Sequence, residues 1–200
     1  MASTHYAPEP CEAEGCGHFA VTGATHCWAH VADPDHYFKK LKHVPLTNGW
    51  LVGVDFTGRR MRGANLVGAR LSHATLAWAD FQDADLRRAF LDHTDLRGAQ
   101  FDGSLMEFSV LGGADAAEAS FRNTDLRRAN LVGLQAPKAD FTGASLYYAR
   151  LGNANLQNAD FSRTDIRRTI FRRAELANAI FIGAEGSANF ENANLEGALR

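Results

Sequence analysis

The chain has 200 residues, 46% of them apolar, and its 21 Lys and Arg against 23 Asp and Glu leave a net charge of −2. That length gives one good-sized domain, or one with a small appendage, and enough apolar residues to bury a core. The near-neutral balance argues against direct nucleic-acid binding. No run approaches the ~20 apolar residues of a membrane span, and "MASTHYAPEPCEAEGCG" lacks the basic and apolar regions of a secretion signal, so a cytoplasmic protein is expected.

Residues 1–43 have a chemistry of their own. All three cysteines lie in the first 27 residues, within "CEAEGCGHFAVTGATHCWAH", which spaces Cys11-x4-Cys16-x10-Cys27-x2-His30. An odd, clustered set followed by a histidine points to metal ligation rather than to a disulfide framework. Two short-spaced pairs joined by a short arm can bring four ligands around tetrahedral zinc. Cys11, Cys16, Cys27 and His30 are the expected set, with His18 and His26 competing for the fourth place. Four protein ligands would make the site closed and structural. "DPDHYFKKLK" (33–42) reads as a short helix capped by Asp33 with Pro34 at its first position.

From about residue 54 the sequence divides into fives. Leu or Phe recurs at 66, 71, 76, 81, 86, 91, 96 and 101, and again through 161. A small residue stands two places before each, as at Ala64, Ala69, Ala74 and Ala79, and a polar residue lies between. A period of five fits neither a helical stripe nor a plain strand. The small-polar-large alternation gives about three residues of strand with two side chains on one face. The next two residues, often ending in Gly or Asn, suit a tight bend. Each unit is then one side of a coil, and coils stack at ~4.8 Å through parallel pairing. Phe81, Phe101, Phe121, Phe141, Phe161 and Phe181 recur every 20 residues, so a coil has four sides and these rings form an internal column.

The units "ADLRR" (84–88), "ANLVG" (64–68 and 129–133), "ADFTG" (139–143) and "ANLQN" (154–158) resemble the pentapeptide repeat family, with its A(D/N)LXX pattern. The resemblance covers roughly residues 44–199. It implies an all-β chain, a right-handed, four-sided parallel β-helix over 44–200, behind the small Cys/His segment of 1–43. Leu46 to Phe181 makes 28 units, or seven coils, about 34 Å long at the strand spacing.

Several residues depart from the pattern. Leu134 occupies a small position and Ala136 a large one, and Ala116 lies 20 residues before Ala136, so a dent is expected there. Arg59 falls on an inward position, so the first coil should be irregular, and Trp50 is expected to cover the apolar bottom of that coil. After Ala184 the next small residue is Ala188, a loss of one residue of register, with no evident capping helix beyond it. An uncapped coil exposes core and strand edge, so a homodimer through the C-terminal coil is expected.

Asp85-Leu86-Arg87-Arg88 returns at Asp125-Leu126-Arg127-Arg128 and nearly at Asp165-Ile166-Arg167-Arg168, two coils apart each time. The coils between carry Glu107-Phe108 and Tyr147-Tyr148 at the same places. Arg87, Arg88, Phe108, Arg127, Arg128, Tyr147, Tyr148, Arg167 and Arg168 therefore form a candidate partner-binding face, since Arg and aromatics are the usual interface anchors. The bland alternative is local Asp–Arg pairing, which adds little stability when exposed. His73 and His93 stack on neighbouring coils, either as a small site with Asp92 or as two solvated histidines.

Residues 51–200 hold 18 acidic and 18 basic side chains, but 76–120 carry three Arg against nine Asp and Glu, and 121–175 ten Arg and Lys against five. Some pentapeptide repeat proteins protect DNA gyrase, their acidic rods resembling duplex DNA; here the acidic band is short. The expected function is a non-enzymatic protein-interaction scaffold. The alternative is binding to gyrase or another type II topoisomerase, with resistance to a gyrase poison. Less favoured is an enzyme or biosynthetic accessory using the dent.

Overall fold

The structure, a computed structural model, describes residues 8–200. The front segment contains an antiparallel bridge between Pro10 and Phe19, a 3-10 turn at Trp28–His30, and one helix, α1, at Pro34–Leu41. α1 begins where the spacing predicts. The Asp33 carboxylate accepts the His36 amide at 2.9 Å, and Pro34 sits in the first turn, where its missing N–H loses no hydrogen bond. Tyr37, Phe38 and Leu41 form the buried face of α1.

From Trp50 onward, the residue between the small and large positions of each unit pairs in parallel with the residue 20 positions later, as Trp50 with Arg70, Phe90 with Val110 and Ser145 with Asp165. Each unit thus pairs with the unit four places further along the chain. The Phe81 amide donates to the Gln100 carbonyl at 2.8 Å and the Gln100 amide donates back to Ala79 at 2.9 Å.

The predicted three residues of strand per unit shrink to one bridging residue, for a geometric reason. The amide of each small residue closes a turn on the carbonyl of the large residue three places before it, as Ala69 does on Leu66 at 2.9 Å. That turn takes four of the five residues and leaves one to pair with both neighbouring coils. The second corner residue has positive φ, 67° at Gly68 and 59° at Arg88, while the first does not. This is the type II turn pattern. Glycine meets it freely; Trp78, Phe108 and Tyr148 take the same conformation, at 58–60°, held by the coils on either side.

Large and small residues point inward, and most are completely buried. Phe81, Phe101, Phe121, Phe141, Phe161 and Phe181 stack in one column, with centroids 4.9–5.7 Å apart and planes within 19°. The ring spacing is close to the ~4.8 Å between paired strands, so stacking and backbone pairing do not compete. Threonines at small positions satisfy their hydroxyls on main-chain carbonyls, as Thr124 on Phe101 at 2.8 Å and Thr169 on Leu146 at 2.8 Å. The Ser104 and Ser109 hydroxyls are buried without a hydrogen-bond partner among the described residues. Replacing Ser109 with alanine is therefore expected to raise the urea midpoint, by about 1 kcal/mol of stability, because an unpaired buried hydroxyl is removed. A loss of similar size would show that the hydroxyl is satisfied in solution.

Where the dent is expected, Leu134, Ala116 and Ala136 are all 0% exposed, and the larger side chain at position 134 offsets the smaller one at 136 in volume. Arg59 turns out of the core: its guanidinium meets Asp35 at 2.7 Å and lies 4.5 Å over the Phe38 ring, tying α1 to the first coil. Trp50 does not lie beneath that coil. It stands at an outward bridging position, edge-on to Phe19 at 5.3 Å, while Val21, Tyr37, Phe38 and Leu41 join the core instead. The register slip is absorbed at 185–188. Asp165 pairs with Glu185, but Ile170 pairs with Asn189 and Ile180 with Leu199, an offset of 19. Phe190 consequently stacks on Phe171 at 5.1 Å.

Candidate metal centre and arginine–aromatic edge

The front segment folds back on itself so that its two cysteine-bearing ends meet. The Cys11 amide donates to His18 at 2.9 Å, and a turn closed by the Cys16 amide on Ala13 at 3.1 Å returns Cys16 toward Cys11. Cys27 caps the 3-10 turn, whose His30 amide bonds to the Cys27 carbonyl at 2.9 Å and so aims the imidazole back at Cys27. Trp28 fixes this arm by packing edge-on to Tyr37 at 5.7 Å and Phe38 at 5.8 Å.

The ligand atoms of Cys11, Cys16, Cys27 and His30 all lie within 4.8 Å of one another and can hold a metal ion. Cys16 Sγ is 3.8 Å from Cys27 Sγ, and His30 Nδ1 is 3.5 Å from Cys11 Sγ and 3.3 Å from Cys27 Sγ. The cysteines are free thiols rather than a disulfide. Burial would raise the Cys11 thiol, but hydrogen bonds from the Cys27 and Ala13 backbone, His30 and Cys16 prevail and bring it to about 6. Burial pushes the Cys27 thiol up, with Cys11 and Cys16 beside it adding to the effect. A set with one easily formed thiolate suits a cation. His26 bonds to Thr25 at 2.9 Å, and neither it nor His18 belongs to the cluster.

On the solenoid, the two arginines of each Asp-Leu/Ile-Arg-Arg unit point to different partners. Arg87 grips Asp85 at 2.8 and 2.6 Å, Arg127 grips Asp125 at 2.7 and 2.6 Å, and Arg167 grips Asp165 at 2.9 and 2.8 Å. Arg127 also approaches Glu107 at 3.8 Å. The hydrogen bonds from Arg87 and Arg167 hold the Asp85 and Asp165 carboxyls below the usual carboxylate range. Arg88, Arg128 and Arg168 stand at the positive-φ corner and make no ion pair among the described residues. They alternate along one edge with Phe108 and Tyr148. Arg88 and Arg128 lie 5.9 and 5.4 Å from the Phe108 ring centre, and Arg168 lies 5.1 Å from Tyr148, whose hydroxyl accepts its hydrogen bond. Tyr147 packs edge-on to Tyr148 at 4.6 Å, with Arg167 5.5 Å over its ring. Phe108 and Tyr148 remain 42% and 39% exposed, so the edge presents cations and ring faces together.

His73 and His93 stack at 5.4 Å with planes 9° apart. Asp92 accepts the Ser72 hydroxyl at 2.7 Å, and no third ligand joins the pair among the described residues. Trp78, exposed at a corner above Gly98, is signalled in the sequence only by being an indole where most units carry a small or polar residue. No helix among the described residues is long and apolar enough to cross a membrane.

Comparison with known proteins agrees with the repeat. No curated protein matches the chain. Solved structures that it resembles include a pentapeptide repeat protein of the Arabidopsis thaliana thylakoid lumen, 29% identical over 52% of this chain and 66% of that one, with a TM-score of 0.36. Another is QnrB1, a plasmid-mediated fluoroquinolone resistance protein, 18% identical over 74% and 90%, with a TM-score of 0.38. A third is HetL of the cyanobacterium Nostoc sp. strain PCC 7120, involved in heterocyst differentiation regulation, 21% identical over 74% and 87%, with a TM-score of 0.26. The family model for pentapeptide repeats matches in eight copies between residues 41 and 185. With the bridges repeating every 20 residues over the same stretch, the chain belongs to the pentapeptide repeat family.

Proposed function

We propose that this chain is a non-enzymatic docking scaffold: a right-handed, four-sided β-helix over residues 44–200, partly covered at one end by a zinc-stabilised segment within residues 8–43. The observation that carries the reading is the edge of Arg88, Phe108, Arg128, Tyr148 and Arg168, where guanidiniums that make no ion pair among the described residues alternate with exposed rings. Equivalent arginines lie two coils apart, ~9.6 Å. Guanidinium forks recognise carboxylates, and Arg with aromatic residues commonly anchors interfaces. The inner arginines, Arg87, Arg127 and Arg167, are taken up by their own aspartates.

Zinc is favoured by distances. Tetrahedral zinc with ordinary bond lengths separates two thiolates by ~3.8 Å and a thiolate from an imidazole nitrogen by ~3.6 Å, against 3.8, 3.5 and 3.3 Å here. Zinc would supply a fixed four-way link, with no open position for substrate. Three free thiols also suit a reducing compartment such as the cytoplasm. In the last coil the inward Phe190 and Leu195 are only half-buried, and Ile182 and Leu199 are more than half exposed, which supports a homodimer through this end. Light scattering at high protein concentration should report twice the chain mass; a strict monomer would refute the dimer.

The docking edge is tested by capturing the partner from the host and titrating it against two triple variants. Arg88→Ala/Arg128→Ala/Arg168→Ala should weaken binding by about tenfold or more, and wild-type binding should fall as salt rises. Arg150→Ala/Arg163→Ala/Arg173→Ala, which removes the same charge elsewhere, should leave affinity unchanged. Equal losses would mean bulk charge rather than the edge. The topoisomerase reading rests on family membership and is decided by adding the purified chain to a gyrase supercoiling assay containing a fluoroquinolone; unprotected gyrase rejects it.

A further inference from the structure

At the near end of the solenoid, α1 and the segment after it stand where a preceding coil would be, and they cover it incompletely. Met61 and Ala64 are half-buried, whereas Phe81 and Ala84, in the same places one coil on, are fully buried. A cleft of about 690 Å³ opens there between α1 and the first coil, within the roughly 300–1,000 Å³ span of small-molecule sites. Its floor is apolar, built from Phe38, Leu41, Leu46, Met61 and Ala64. Its rim bears five cations, Lys39, Lys42, Arg59, Arg60 and Arg62, against the single carboxylate of Asp35.

Ion pairs account for only part of that charge. Arg59 is matched to Asp35 at 2.7 Å and Arg62 to Asp83 at 3.1 Å. Arg60 reaches Asp80 only at 3.8 Å, with its side chain largely in solvent. Lys39 and Lys42 make no ion pair among the described residues. The cleft thus joins a core surface lacking its covering layer to three cations lacking close counter-charges.

We infer that this cleft binds an amphipathic organic anion, an aliphatic or aromatic body carrying a carboxylate or phosphate head. The body takes the place of the missing layer on Met61 and Ala64 and removes that apolar surface from water. The head is met by Lys39, Lys42 and Arg60 in charge-assisted hydrogen bonds. A neutral apolar molecule would leave the cations unmatched, and a polyanion would leave the apolar floor exposed. The site is independent of the docking edge, which lies on later coils.

The test is calorimetric titration of the full chain with decanoate, decyl phosphate and decanol, each below its aggregation limit. One anion per chain is expected, with decanol weaker by about tenfold; the two anions compared show which head the rim prefers. Lys39→Glu/Lys42→Glu should weaken the anions by about tenfold or more, while Arg150→Glu/Arg173→Glu should not. Ala64→Leu, which fills the floor, should weaken anions and decanol alike. Decanol binding as tightly as decanoate, equal losses in the two charge-reversed variants, or no binding of any probe would overturn the inference. So would a dimer that Lys39→Glu/Lys42→Glu dissociates, since a second copy would then own the cleft. Should Ala64→Leu fail to fold, the surface lysine variants still decide.

Discussion

Phe121→Ala is expected to destabilise the protein by about 3–5 kcal/mol, the cost of a buried Phe-to-Ala change. Phe121 is fully buried and lies 5.2 Å from Phe101 and 5.0 Å from Phe141. Those rings cannot close the gap, because each is pinned by backbone pairing; the Phe121 amide itself donates to Asp140 at 2.7 Å and the Phe101 amide to Ser120 at 2.7 Å. The void therefore persists, and lost contacts add to lost burial. A solenoid is stabilised by nearest-neighbour interfaces, so the weakened layer should also divide the rod into two less coupled halves. Urea denaturation checks both effects: the midpoint should fall, and the slope should fall with it as the transition broadens. A loss under about 1 kcal/mol would mean that the coils relax around the cavity.

The other large effect concerns the front segment. Elemental analysis should find one zinc per chain, and Cys27→Ser should abolish it. In small zinc domains metal binding contributes on the order of 10 kcal/mol to the folded state, and residues 8–43 have little core of their own beyond what they share with the first coil. Losing the metal should free Trp28 from Tyr37 and Phe38, then loosen α1 over Leu51, Val54 and Phe56. Hydrogen exchange should show this as lost protection over 8–43 with the later coils unchanged, because coils contact only their neighbours. A metal-free protein with full protection there, or a disulfide among Cys11, Cys16 and Cys27, would refute the zinc reading.

Much of this architecture is legible in the residues, because a solenoid repeats its packing at a fixed sequence interval. The six phenylalanines 20 apart state the coil length, and their column stands as expected. The slip after Ala184 is visible as a missing residue and appears as the change in pairing offset. Local spacing likewise places the cap of α1 at Asp33 and singles out Cys11, Cys16, Cys27 and His30. Periodicity does not encode where a side chain goes once it leaves the pattern. Arg59 and Trp50 find partners in Asp35, Phe38 and Phe19, residues of a segment with no repeat to set a register. In sequence the Asp-Leu-Arg-Arg units look like paired arginines. Only the turn separates them, sending the first along its own aspartate and the second out at a positive-φ corner beside an exposed ring. The cleft beside Met61 belongs to the same class, since it arises where a helix meets a coil and neither sequence pattern contains the gap between them.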